Sequence, residues 1–260
     1  MIPIKTKEEI ELMRKSAQVV SEVIMAIAEQ IRPGITTKSL DSLARRVIRK
    51  NRAYPSFLGY TIPGHPPYPG AICASVNEVV IHGIPSNDTV LRSGDILSVD
   101  VGARLKGYHG DRAFTFPVGE ISEEARRLLR VTREALYKGI EQARPGNRLG
   151  DICHAIQRHV ESHGYSVIRD FVGHGIGREM HEEPQIPNFG KPGVGPKLKP
   201  GMVLAIEPMV SAGDWRVVVL EDGWTVVTAD GSLSAHFEHT VAILSDGPEI
   251  LTLPDPDIEF

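Results

Sequence analysis

The stretch Leu91-Arg-Ser-Gly94-Asp-Ile-Leu97-Ser-Val-Asp100 aligns without a gap on Leu198-Lys-Pro-Gly201-Met-Val-Leu204-Ala-Ile-Glu207. The two share Leu, Gly and Leu, and each ends on a carboxylate. Upstream, Glu29-Gln-Ile-Arg-Pro-Gly34 matches Glu141-Gln-Ala-Arg-Pro-Gly146, and each follows one helical pattern and precedes another. Downstream, Asp111 opens a strand in the first half, and Glu238-His-Thr-Val-Ala-Ile-Leu244 opens one in the second. Three matches in the same order constrain the chain to two pseudo-symmetric halves, about residues 15–120 and 125–245. Each half reads as helix, Arg-Pro-Gly turn, helix, then strands carrying two acids. The expected class is α+β, with an antiparallel sheet on one side and helix pairs on the other. No Pro/Gly/Ser linker separates the halves, so residues 1–260 are expected to pack as a single domain.

Composition excludes more than it indicates. A formal net charge of −4 gives no electrostatic reason to expect nucleic acid or an anionic membrane as partner. The densest basic run, Arg45-Arg46-Val-Ile-Arg49-Lys50-Asn-Arg52, has helical spacing and reads as a solvated helix face. Cys73 and Cys153 lie far apart without CxxC spacing, which argues against a disulfide framework or a thiolate zinc site. The N-terminus is charged and amphipathic, and no apolar run is long enough to span a bilayer, so the expected setting is cytoplasmic.

The duplicated acids carry the chemistry. Ser98-Val-Asp100 to Asp111-Arg-Ala113 reads as a β-hairpin, and a turn centred between Leu105 and Lys106 sets Asp100 opposite Asp111, with Cβ atoms roughly 5 Å apart. Glu207 ends the apolar run Met202-Val-Leu-Ala-Ile206, where a strand core should hold Leu or Val. An unpaired carboxylate buried there costs several kcal/mol. A buried salt bridge is one solution, although no basic residue has a matching placement in these strands. Cations are the other, and Asp100, Asp111, Glu207 and Glu238 together exceed what one divalent ion needs.

A nitrogen ligand is available in Gly173-His174-Gly175-Ile-Gly177, where the glycines let the backbone approach closely and aim the imidazole. The alternatives are a satisfied core histidine or a phosphate cradle, whose glycine spacing this segment does not match. Carboxylates and imidazole without thiolates suit Mn, Fe, Co or Zn. His82 and His181 remain free for chemistry. Tyr60, Tyr68, Cys73, Met180 and Trp224 form a candidate apolar pocket, with plain core packing as the alternative for each.

Asp, Asp, His, Glu, Glu in this order resembles the pita-bread metallopeptidases of family M24, and within them the type I methionine aminopeptidases. The likeness rests on Asn77-Glu-Val-Val-Ile-His82-Gly-Ile-Pro, Ser98-Val-Asp100-Val-Gly, Gly110-Asp111, Gly173-His174 through His181-Glu-Glu-Pro, Ile206-Glu207-Pro and Ser232-Leu-Ser-Ala-His-Phe-Glu238-His-Thr. It covers the chain from about Lys7 to Asp246. The resemblance implies a curved antiparallel sheet backed by helix pairs. It also implies two divalent metal ions held by Asp100, Asp111, His174, Glu207 and Glu238, with Asp111 and Glu238 bridging. Glu207 is then expected to handle a proton as well, His181 to stabilise the tetrahedral oxyanion, and His82 to contact the peptide nitrogen side.

The pocket positions implied by the resemblance fall on Phe57, Tyr60, Tyr68, Cys73, Met180 and Trp224, and a monovalent cation site on Asn77, Val79 and Ser234. The implied reaction removes N-terminal methionine from new chains with a small second residue, by attack of metal-activated water on the first peptide bond. A monomer is expected, with no more than transient ribosome contact. Met180 stands where the family often has an aromatic, and Thr61 to Pro67 lengthens the loop between the two pocket tyrosines. The nearest alternative is an aminopeptidase P or prolidase, which shares the five ligands but usually carries a substantial N-terminal domain. A pita-bread binding protein without catalysis is the other, although it would be expected to have lost ligands.

Overall fold

Thr6, Thr36 and Ser122 each end an extended segment with a hydroxyl that accepts from the backbone N–H three residues on, and each starts a helix. In the computed structural model of the chain, which describes residues 2–260, these helices are α1 (Lys7–Ala28), α2 (Thr37–Lys50) and α3 (Glu123–Gln142). The fourth, α4 (Leu149–Ser162), has its first turn tied by the Asp151 carboxylate, which accepts from the Arg148 N–H. Arg32-Pro33-Gly34 joins α1 to α2, and Arg144-Pro145-Gly146 joins α3 to α4. On α2, Ala44 and Ile48 are buried while Arg46, Arg49 and Lys50 are exposed, as expected for a solvated basic face.

The first half contributes strands β1 (Tyr54–Pro55), β2 (Cys73–Val76), β3 (Val79–Ile81), β4 (Ile96–Leu105) and β5 (Tyr108–Pro117). The second contributes β6 (Ser166–Val167), β7 (Gly173–Gly175), β8 (Glu182–Ile186), β9 (Val203–Ile206), β10 (Met209–Ser211), β11 (Val217–Val219), β12 (Val226–Thr228), β13 (Ser234–His236), β14 (His239–Leu244) and β15 (Gly247–Ile250). Every pairing among them is antiparallel. The long hairpin β4–β5 centres a four-stranded sheet, and the order β15-β14-β9-β7-β8 forms a five-stranded one. One apolar core runs through both halves, from Val20, Ile24, Leu40 and Phe114 to Leu136, Ile156, Leu204 and Val241. The duplicated architecture is therefore present, helix pairs backing antiparallel strands in each half.

The hairpin register corrects one expectation. Leu105 pairs with Tyr108, so Asp100 faces Ala113 and Asp111 faces Gly102. The turn residues are Lys106 (φ 52°) and Gly107 (φ 87°), and two consecutive positive φ values are what a two-residue hairpin turn with the strands' own twist requires. A turn between Leu105 and Lys106 would have put a branched residue in that conformation. The offset is two residues, so both aspartates stay on one face as diagonal neighbours.

The two sheets meet along β5 and β14. The Thr240 hydroxyl accepts from the Asp111 N–H (3.0 Å) and donates to the Asp111 carbonyl (2.8 Å), while the Glu238 N–H donates to Ala113 O (2.9 Å). On the opposite face, Arg112 of β5 and His239 of β14 turn to one carboxylate, Asp255. Arg112 Nη2 lies 2.6 Å from Oδ1, and Tyr137 (2.7 Å) and Arg133 (2.9 Å) donate to Oδ2. Burial works against ionisation of Asp255. Contacts from His239, Tyr137 and Arg112 outweigh it and hold this carboxyl well below its ordinary range.

Thr240→Val keeps the shape and removes both hydrogen bonds to the Asp111 backbone, leaving a buried donor and acceptor unpaired. It should lower unfolding free energy by about 1–3 kcal/mol in urea titrations. A change below about 0.5 kcal/mol, the range of ordinary surface substitutions, would show that the staple between the sheets is dispensable.

Candidate metal centre

Strand alternation that sends Arg112 to the back of β5 sends Asp111 to the front, where it joins Asp100. The second pair arises the same way. His239 lies opposite Ile206 in the β9–β14 ladder, and the same register continued by one residue sets Glu207 against Glu238. The structure thus brings all four predicted acids to one cavity of about 410 Å³, together with His82, His174 and His181. Asp111 and Glu238 are buried, whereas Asp100 and Glu207 are half-buried on the cavity wall.

Among the described residues, no Lys or Arg forms an ion pair with any of these acids. Their close charged-atom neighbours are histidines. His174 Nε2 stands 3.5 Å from Glu207 Oε1 and 3.7 Å from Asp111 Oδ2. Asp111, His174 and Glu238 each bring one ligand atom within 4.8 Å of the others. Asp100 Oδ1 and Glu238 Oε1 are buried without a hydrogen-bond partner. Burial, reinforced by the charge of the neighbouring carboxylates, pushes Asp100, Glu207 and Glu238 well above the usual carboxylate range, and burial raises Asp111 too. Orphaned oxygens and crowded acids without basic partners are the donor set of a divalent cation site, so the residues present fit one.

His174 sits in β7 between β8 and β9. A Cβ on Gly173 would lie 2.4 Å from Ala205 O, and one on Gly175 would lie 2.2 Å from Glu183 O, so the flanking glycines allow this approach. His174 Nδ1 donates to Gly175 O at 2.9 Å, which fixes the proton there and leaves the Nε2 lone pair toward the acids. Burial lowers the His174 pKa to about 4, so the ring is neutral at pH 7.

His181 is likewise neutral, lowered to about 4 by burial and by His174. Its Nδ1 is 2.8 Å from the Tyr60 hydroxyl, and its ring centroid is 4.4 Å from that of His174. His82, also lowered to about 4 by burial, sits at φ 58° with its ring edge-on to Phe171 and Trp224. A non-glycine residue at positive φ is uncommon, and such strain clusters at functional sites.

The apolar end of the cavity is walled by Phe57, Tyr60, Tyr68, Cys73 and Trp224. Cys73 pairs with Asp100 across the β2–β4 ladder, so pocket and acids adjoin directly. Burial and the nearby Asp100 raise the Cys73 thiol, which stays neutral. Both cysteines are free. Met180 is placed elsewhere: it is buried in a cluster with Ile10, Met13 and Tyr108, behind Phe57 rather than on the cavity wall. The loop Thr61–Pro67 lies against the pocket, with Trp224 Nε1 donating to Pro66 O at 2.8 Å. Asn77 and Ser234 also meet, the Ser234 N–H donating to Asn77 O at 2.9 Å, with Val79 beginning the adjoining strand β3.

Some wall residues were not anticipated. Phe171, Val172 and Gln185 line the cavity, as do Ile62, Ile81 and Asp170. His236 Nε2 is buried, lacks a hydrogen bond and lies 3.5 Å from Glu207 Oε2. A signal for His236 was present: it precedes Glu238 by two positions, and a period of two shares a face.

Residues 11–245 match the model of metallopeptidase family M24. The chain is 58% identical over 253 residues to a methionine aminopeptidase of Clostridium acetobutylicum, covering 97% of this chain and 99% of that protein. A solved methionine aminopeptidase from Thermotoga maritima superposes with a TM-score of 0.94 at 54% identity, over 98% of this chain and 100% of that one. The prolidase of Pyrococcus furiosus superposes with a TM-score of 0.76 at 25% identity, over 97% of this chain but 66% of its own.

Because the carboxyls are raised and the histidines already neutral, metal loading near pH 7 should release protons from the acids. Titration calorimetry with Mn²⁺ in two buffers of different ionisation enthalpy should give different apparent heats. The apparent affinity should fall as pH is lowered. Buffer-independent heat would mean that the acids are already ionised in the metal-free protein.

Proposed function

This chain belongs to metallopeptidase family M24, and we propose that Asp100, Asp111, His174, Glu207 and Glu238 hold two divalent cations at the meeting of its two sheets. The enzyme is a metalloaminopeptidase that removes N-terminal methionine from peptides. The observation that carries the site assignment is the pair of unpartnered buried oxygens, Asp100 Oδ1 and Glu238 Oε1, in a cavity whose other end is apolar. Asp111, His174 and Glu238 lie close enough to hold a common ion; by the family resemblance Asp111 and Glu238 would be the ligands shared by both ions and Asp100 the ligand of one. When bound, such ions supply Lewis acidity for the scissile carbonyl and make water acidic enough to attack it; Mn, Fe, Co and Zn all suit the donors.

The chain's own residues supply the rest. Phe57, Tyr60, Tyr68, Cys73 and Trp224 surround the methionine side chain, and the neutral thiol and aromatic faces suit a thioether. The Thr61–Pro67 loop holds Trp224 in place through Pro66 O. With the Tyr60 hydroxyl donating to His181 Nδ1, the His181 proton resides on Nε2, which donates to the oxygen that gains charge as the carbonyl becomes tetrahedral. His82 makes a hydrogen bond on the peptide nitrogen side. Glu207, half-buried on the cavity wall and ionised once cations are bound, would take the proton lost by the attacking water and return it to the leaving amine.

New chains with a small second residue are the proposed substrates, met in the cytoplasm by a monomer. A monovalent cation on the backbone carbonyls of Asn77, Val79 and Ser234 belongs to the same reading. No helix among the described residues is long and apolar enough to cross a membrane.

Chelation should abolish methionine release from a Met-Ala-Ser peptide, and Mn²⁺ or Co²⁺ should restore it. Release that persists without any divalent ion would refute the assignment. His181→Ala should lower kcat by ~10²-fold, the scale of losing one oxyanion donor, with metal content unchanged. Metal loss in that variant would instead make His181 a support of the centre.

A further inference from the structure

His159 and His163 sit four residues apart at the end of α4, so they share a helix face, and their ring centroids are 4.6 Å apart. Glu134, on the neighbouring α3, places Oε2 3.0 Å from His159 Nε2. One ligand atom from each of the three lies within 4.8 Å of the others. His163 Nδ1 donates to the His159 carbonyl at 2.8 Å, which fixes its proton on Nδ1 and leaves the Nε2 lone pair unused. A hydrogen bond from one ring nitrogen to a carbonyl is how metal-binding imidazoles are oriented.

From these contacts we propose that Glu134, His159 and His163 form a second metal site, for a zinc ion, on the outer face of the α3–α4 pair. Two imidazoles and a carboxylate are the three-protein-ligand set of an open zinc site. None of the three lines the catalytic cavity, so this ion is separate from the hydrolytic centre. A His159–Glu134 surface pair alone accounts for two of the residues but not for the third donor converging on them. The helices that carry the ligands pack closely, with Ile156 of α4 seated on Gly139 of α3. Zinc therefore finds a spacing set by the core and ties the two helices together. The Arg127 guanidinium, bound to the His163 carbonyl at 2.8 Å, is a repelling charge that makes the site weak and exchangeable.

Equilibrium dialysis of the full chain against Zn²⁺ tests this, comparing wild type with His159→Ala/His163→Ala and with Glu134→Gln. The double variant should bind one zinc fewer per chain. Glu134→Gln preserves the shape of the pair and tests the site even where the double variant folds poorly; it should weaken that zinc by about tenfold or more, as loss of even a supporting partner does. Mn²⁺-supported methionine release should stay within about twofold of wild type in both variants, as for other surface substitutions. Equal zinc stoichiometry in wild type and double variant, or an unchanged isotherm for Glu134→Gln, overturns the site. Loss of the zinc together with loss of Mn²⁺-supported activity assigns that ion to the catalytic centre and overturns it equally.

Discussion

Four carboxyl groups share one cavity wall without a Lys or Arg to neutralise them, and the rest of the molecule is organised around that charge. Desolvation and mutual repulsion both oppose ionisation, so without a cation these groups hold protons that free carboxylates would have lost. The fold does not relieve the strain with a buried ion pair. It keeps the histidines neutral and the nearest arginine on the other face of its strand. Divalent cations are thereby the partners for which the site is prepared.

Alternation along two strands does this with little sequence. On β5, Asp111 faces the cavity and Arg112 faces away; beside β14, Glu238 faces the cavity and His239 faces away. The cavity faces meet as repelling acids. The back faces meet at Asp255, and Thr240 stitches the Asp111 backbone to β14 between them. The proposed shared ligands are thus held by attraction behind them, which lets them stay close despite their charge. Each half contributes one strand, so neither half alone completes the centre.

The duplication made most of this legible: two helix pairs, Arg-Pro-Gly turns and two acid pairs followed from self-similarity. Asp100 and Asp111 were placed on the correct face but in the wrong register. A turn centre read from composition alone could not weigh the positive φ demanded at both central positions, which Lys106-Gly107 satisfies and Leu105-Lys106 does not. Met180 is a pocket position by family resemblance, although its side chain turns into the packing behind Phe57, a direction no linear pattern carries. His236 had a period-two signal that the stronger Glu238 overshadowed. Asp255 had none, because its partners lie at positions 112, 133, 137 and 239, joined only by the folded chain.

That order along the chain has a consequence for synthesis. A polypeptide made from its N-terminus exposes Arg112, Arg133, Tyr137 and His239 before the acceptor they converge on. Until Asp255 arrives, Arg112 is a cation destined for burial with nothing to bury it against. The strands that carry Asp111 and Glu238 consequently lack their rear anchor until that residue is made. The rear support of the acid cavity thus depends on a residue that follows all of its partners along the chain.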